Sequence, residues 1–206
     1  MNDNKLRAEK FADILNHEEY YGSDNKTQVF FNRLRIKHIV GICGDLSCAR
    51  VLDVGIGEGF MAEQLHAQEL WGIDISEKRC EKAKKRLPRT HIILGDGHEL
   101  AFKNNFFDVV VCADVLEHTD KPERAIREMM RVLRVGGSAI VSVPNETMLI
   151  IARALTLQKN LKNPDHLHNI SPGFLIQHFG REPIRSFNIP AFPYPLCIWQ
   201  CYKFIK

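Results

Sequence analysis

The sequence predicts an α/β protein whose open, mostly parallel sheet carries helices on both faces. Three observations predict it. Residues 49–145 alternate between short continuous apolar runs and stretches with apolar residues at helical spacing, the signature of strands covered on both sides and of the helices that cover them. The first run, Val51-Leu-Asp-Val54, breaks at three alternate glycines, Gly55, Gly57 and Gly59, which permit positive φ and let a ligand approach bare backbone. Successive apolar runs then end in acids, Asp53, Asp74, Asp96 and Asp114, at the sheet edge where open α/β folds bind their ligands.

The elements follow in order. Residues 1–48 hold two amphipathic stretches, one with Leu6, Phe11, Ile14 and Leu15, the other with Phe30, Phe31, Leu34, Ile36 and Ile39. Neither buries its apolar face alone, so the segment is expected to be a helical cap or lid over a domain spanning 49–206. Strands are predicted at 50–54, 70–74, 91–95, 107–113 and 138–143. The spacing predicts helices at 59–68, at 76–87 with Ser76 as N-cap and Pro88 as stop, and at 121–134. The last would start on a capping box of Asp120 and Glu123 and end at Gly136-Gly137. Beyond Pro144-Asn145 come a helix at 146–157, a polar loop at 158–170, and a helix from Ser171-Pro172 to Phe179 closed by Gly180. Residues 183–189 and 196–204 read as an edge hairpin.

Composition narrows the function. The 206 residues are 45% hydrophobic and 26% charged, ordinary values for a globular protein with a real core. A net charge of +3 with dispersed basic residues does not indicate nucleic acid, and the Lys78–Arg89 run reads as a solvated helix face. Six cysteines without a C-x-x-C pair, and a polar start, point to a reduced, cytoplasmic setting. The longest apolar stretch, Met148–Leu157, is broken by Arg153 and too short to cross a bilayer, so no membrane insertion is expected.

Each strand end offers a specific chemistry. Asp74 stands twenty-one positions after Asp53, where an acid can accept both hydroxyls of a ribose. Asp96 can receive an adenine amino group, with Gly97 and His98 offering backbone N–H, although Asp-Gly is also an ordinary turn. Glu117-His118 supplies the expected general base at the rim. The glycines form G-x-G-x-G rather than the dinucleotide pattern G-x-G-x-x-G, which argues against a nicotinamide dehydrogenase.

Val51-Leu-Asp-Val-Gly-Ile-Gly-Glu-Gly59 resembles the first motif of class I S-adenosylmethionine-dependent methyltransferases. Gly72-Ile-Asp-Ile-Ser76 is similar to their acidic ribose loop, and Gly95-Asp-Gly-His98 to their adenine-side motif. Phe107-Asp-Val-Val-Val-Cys-Ala-Asp-Val-Leu-Glu-His118 resembles the region that follows in the type 11 subgroup, and Arg131-Val-Leu-Arg-Val-Gly-Gly137 with Val143-Pro-Asn145 completes the series. The resemblance implies a Rossmann-like seven-stranded sheet of order 3-2-1-4-5-7-6 with its last strand pair antiparallel. It implies S-adenosyl-L-methionine as cofactor, with Gly55, Gly57 and Gly59 along the methionine and ribose. Asp74 and its neighbour Ile75 would lie at the ribose, Asp96, Gly97 and His98 at the adenine, and Asp114 by the sulfonium. Glu58 departs from the small or polar residue common at its position, and it is expected to point to solvent or to the cap because a buried charge is costly.

These residues together predict a methyltransferase acting on a small, apolar acceptor. Tyr20 and Tyr21 in the cap, Asn145, His166 and His168 are the expected acceptor contacts. Asp114-x-x-Glu117-His118 with Asp165-His166-Leu-His168 is similar to the metal-binding sets of small-RNA 2′-O-methyltransferases and of some ubiquinone-pathway O-methyltransferases. A metal-assisted RNA 2′-O-methyltransferase is therefore one alternative, and a cofactor-binding module without catalysis another. Histidines in a polar loop are more often solvated, and no metal ligands are assigned.

Overall fold

The computed structural model describes residues 26–155, 165–191 and 196–206. Its seven strands form one sheet of order β3-β2-β1-β4-β5-β7-β6, the order implied by the resemblance. Four parallel neighbours make its first part: β1 (Arg50–Val54), β2 (Glu69–Asp74), β3 (His91–Leu94) and β4 (Phe107–Ala113). The long β5 (Leu133–Pro144) is parallel to β4. The hairpin of β6 (Arg185–Ile189) and β7 (Trp199–Ile205) then joins β5 antiparallel through β7.

Both faces are covered, which is why the central strands are apolar throughout. On one side α1 (Lys26–Cys43) lays Ile39, Ile42 and Cys43 against Val51, Val109, Val111, Ile140 and Cys201. On the other, α3 (Pro122–Val132) and α5 (Pro172–Phe179) seat Ile126, Met129, Val132, Leu175 and Phe179 on Leu52, Val110, Val141 and Phe204. Helix α2 (Glu77–Arg86) packs on β2 and β3 with Cys80 and Ala83 inward. Ser76 is its N-cap, accepting from the Arg79 amide at 3.4 Å, as predicted. Helix α5 also starts on its predicted cap, with Ser171 Oγ accepting from Phe174 N at 3.1 Å, and ends at Gly180 with φ 69°. Helix α4 (Glu146–Leu155) follows β5 directly. Among the described residues no helix is long and apolar enough to cross a membrane.

Two predicted helices differ from the structure. Residues 59–68 contain only a single 3-10 turn, Ala62–Gln64. The chain must return at once to the sheet, where Gln68 and Glu69 donate to the carbonyls of Leu46 and Ala49 at 3.1 and 3.2 Å, and no length is left for a longer helix. Helix α3 begins at Pro122 after an uncapping Lys121, so the Asp120–Glu123 capping box does not form and Asp120 lies near His98 instead. Nor do Gly136 and Gly137 terminate that helix: β5 starts at Leu133 and contains both. Gly137 is fixed by close approach, since a Cβ there would lie 2.8 Å from the carbonyl oxygen of Asp108 and 2.9 Å from that of Arg134. The expected cap helix over 6–15 lies outside the described residues.

Candidate active site

The glycine elbow turns off the tip of β1. Gly55 has φ 76° and donates its amide to Ile73 O at 2.8 Å, so the chain bends back across the end of β2. A Cβ on Gly55 would meet Val115 Cγ2 at 2.3 Å, which leaves glycine as the residue that fits. The next turn is tied to the acid at the end of β2. Gly57 N donates to Asp74 Oδ2 at 2.8 Å, and Ser76 N to Asp74 Oδ1 at 2.9 Å. One buried carboxylate thus braces the elbow and the start of α2, while each oxygen keeps a second lone pair for a ligand hydroxyl. Ile75 lies half-buried between these two anchors.

Asp53 stands at the tip of β1, 1% exposed, and its Oδ2 has no hydrogen-bond partner among the described residues. Burial, and secondarily the charge of Asp74, pushes its carboxyl up to about 8. At the end of β3, Asp96 accepts from the His98 amide at 2.9 Å and faces His98 Nδ1 at 2.8 Å. Those bonds hold its carboxyl below the usual range despite partial burial. Gly97 lies over Val54, whose Cγ1 would be 3.2 Å from an added Cβ. Asp53, Asp74 and Asp96 therefore share one rim on adjacent parallel strands. Asp114 ends β4 with φ 54°, accepts from Ser142 Oγ at 3.0 Å, and forms an ion pair with Arg35 of α1.

Glu58 does not point to solvent. It is 3% exposed, and its Oε1 pairs with Lys82 Nζ at 2.8 Å. The cost of burying it is offset by that ammonium, supplied from the adjacent α2. The spacing of 24 residues between the two hid the pair from a local pattern.

The other half of the rim gathers the residues predicted to act on the acceptor. Glu117 is 1% exposed with neither carboxylate oxygen hydrogen-bonded among the described residues, and burial foremost raises its carboxyl to about 8. His118 and His166 stand edge to face with ring centroids 4.7 Å apart. His118 Nδ1 lies 3.0 Å from the Asp165 carbonyl, and His166 Nδ1 contacts the carboxylate of Glu146. Burial, then the neighbouring His166, lowers His118 to about 4. Ligand atoms of Glu117, His118 and His166 all fall within 4.8 Å of one another.

Such a donor set can hold a divalent cation. A carboxylate and two imidazoles are ordinary ligands, and an acceptor on Nδ1 of each ring turns Nε2 toward an ion. His168 is exposed and joins through its backbone, donating to Glu117 O at 3.3 Å. Asn145 is buried, and its Oδ1 accepts from Met148 N at 3.4 Å at the start of α4. Tyr20 and Tyr21 lie outside the described residues. Sequence patterns missed Arg35 and Glu146. Arg35 sits on a helix face with no motif; Glu146 directly follows Pro144-Asn145, a position adjacent to a motif that was recognised.

A family model described as a methyltransferase domain matches residues 52–141, the stretch that holds the elbow and all four strand-end acids. The chain belongs to the class I S-adenosylmethionine-dependent methyltransferases, type 11 subgroup. A ubiquinone biosynthesis O-methyltransferase of Nitrosomonas europaea is 30% identical over 158 residues, covering 70% of this chain and 65% of that one. A demethylmenaquinone methyltransferase of Thermotoga maritima is 32% identical over 138 residues, covering 65% and 56%. The chain thus spans a little over half to about two thirds of the length of these relatives. Among solved structures, magnesium protoporphyrin IX methyltransferase from Synechocystis, with bound S-adenosylhomocysteine, superposes with a TM-score of 0.75 at 18% identity over 99% of this chain and 100% of that one; at that identity the likeness is one of fold.

Proposed function

We propose that this methyltransferase-family chain binds S-adenosylmethionine at the glycine elbow and moves its methyl group to a small acceptor, of which a quinol-type phenol is the best-supported class. The observation that carries the cofactor half is the Asp74 carboxylate, bonded to Gly57 N and Ser76 N at 2.8 and 2.9 Å. It is thereby aimed from the end of β2 into the elbow. The relatives named for ubiquinone and demethylmenaquinone methylation support the acceptor class.

In the transfer the acceptor atom forms the new C–CH3 or O–CH3 bond as the S–CH3 bond breaks. The sulfonium becomes a neutral thioether, and the acceptor's proton leaves to the protein or to water. Holding the two in line can supply about 7–11 kcal/mol of the barrier in favourable cases. Asp114, on the same rim, is held by its ion pair with Arg35 and by the hydroxyl of Ser142. His118 is neutral at physiological pH and, held near 4, is a weak base; Glu117, raised to about 8 by burial, holds its own proton at neutral pH and becomes a base only as pH climbs through that value.

A second reading has its own observation, the orphaned and buried Glu117 carboxylate beside two anchored imidazoles. In that reading Glu117, His118 and His166 hold a divalent cation, which would lower the pKa of an acceptor hydroxyl. Calorimetry with S-adenosylhomocysteine and with NAD tests the cofactor. Transfer of a labelled methyl group to catechols, to quinols and to total RNA, with and without chelator, tests the rest. Binding of NAD alone would overturn the proposal. Labelling of RNA alone would move the acceptor to nucleic acid, and cofactor binding without transfer to any substrate would make the chain a binding module.

A further inference from the structure

His98 has a setting that cofactor contact alone does not require. It is 8% exposed and lies between two acids from different loops. Asp96, from its own turn after β3, is 2.8 Å from Nδ1; Asp120, from the loop that leads into α3, lies at ion-pair distance, 3.4 Å from Nε2, which makes no hydrogen bond among the described residues. Arg124 of α3 binds the same turn by donating from Nε to the His98 carbonyl at 3.0 Å, and its outer nitrogen lies 3.8 Å from Glu99. A neutral imidazole has one N–H and one lone pair, so it can satisfy only one of two flanking carboxylates; the imidazolium has a donor for each.

We propose that His98 is a positioning residue of the cofactor cleft, whose imidazolium pins the turn after β3 to the loop after β4 and so makes cofactor affinity depend on its proton. The inference rests on the cofactor reading above. With the proton in place, Asp96 is held by both the ring and the amide of His98. When the proton leaves, one carboxylate faces a lone pair, and the two loops lose the tie through the ring while the bond from Arg124 to the His98 carbonyl remains. The bond to Asp96, and after it the charges of Asp96 and Asp120, raise the pKa of His98 above its ordinary value against the opposing effects of burial and Arg124. A raised histidine is charged below that pKa and loses its proton as pH climbs through it. The pin is therefore present below that raised midpoint and absent above it.

The experiment has two readouts on the full chain. Ring-proton NMR follows the midpoint of His98 in the free protein, assigned by His98→Gln. Calorimetry gives the affinity for S-adenosylhomocysteine from pH 6 to 8.5 in the wild type, His98→Gln and Asp120→Asn, with thermal melts to verify folding. The difference between wild type and His98→Gln removes every other titrating group, Asp53 included. We expect a His98 midpoint above the ordinary value, lowered by Asp120→Asn. The wild type should lose about three- to tenfold more affinity than His98→Gln across that range, and His98→Gln should be weak at the acid end already. Parallel pH profiles for the two proteins would overturn the coupling, and an ordinary or depressed midpoint would overturn the pin itself. No binding by the wild type at any pH would instead overturn the cofactor reading, with the midpoint still reporting on the pin.

Discussion

Replacing Asp74 by asparagine tests whether one carboxylate serves both the fold and the cofactor. Its two oxygens accept from Gly57 N and Ser76 N at 2.8 and 2.9 Å, and it is 5% exposed. Asparagine keeps one acceptor and turns an NH2 group toward the other amide, so one bond to a charged acceptor is lost. Such a bond is worth about 1.5–3 kcal/mol. For a domain of this size each kcal/mol moves Tm by about 2–4 °C, so the melt should fall by about 3–12 °C. Affinity for S-adenosylhomocysteine should fall at least about tenfold, because the ribose hydroxyls lose an anionic acceptor. Scanning calorimetry and titration calorimetry read the two effects separately. An unchanged Tm would refute the bracing role, and a lowered Tm with unchanged affinity would refute the ribose assignment.

Three further outcomes are expected. Gly55→Ala should lose about 1–2 kcal/mol from its positive φ and more from the Cβ that would sit 2.3 Å from Val115 Cγ2. Gly44→Ala, with φ 82° and open space around it, isolates the backbone share in urea denaturation, and equal losses at the two sites would be the contrary result. Lys82→Met should cost about 1–3 kcal/mol by leaving Glu58 buried without its cation, toward the lower end because Lys82 is half-exposed; adding Glu58→Gln should restore part of it. Finally, Asp53 is raised to about 8 by burial, while the unfolded chain ionises it near its ordinary value. Stability should therefore decline as pH rises from about 4 to about 8 by up to about 1.4 kcal/mol per unit. Asp53→Asn should remove that component, and denaturant midpoints that track the wild type at every pH would contradict it.

The strands were legible because parallel strands covered on both faces are written as continuous apolar runs; their order came only from the resemblance of the motifs. The acids at their ends were legible because each strand stops where its polar residue starts. Local signals misled where a distant contact decided the outcome. Phe60 to Gln68 has helical spacing, yet pairing with the carbonyls of Leu46 and Ala49 draws the chain back to the sheet. Asp120 has the sequence of a cap, yet His98, twenty-two residues earlier, lies beside it. Glu58 was expected in solvent or toward the cap because its cation lies on another element. The same limit applied to Glu146 and Arg35: their partners His166 and Asp114 are brought near only by the topology.

The sheet order divides labour between two halves of the molecule. The strand-end acids Asp53, Asp74, Asp96 and Asp114, with Asp120, are encoded in one unbroken stretch that lies within the 52–141 family match, whereas α1, α4 and the 165–170 segment come from either side of it. Under the proposed function, evolution can rewrite the flanks, and with them the acceptor, while the stretch proposed to hold the donor stays untouched. Grafting the flanks of a relative onto this centre would be the corresponding route to a new specificity.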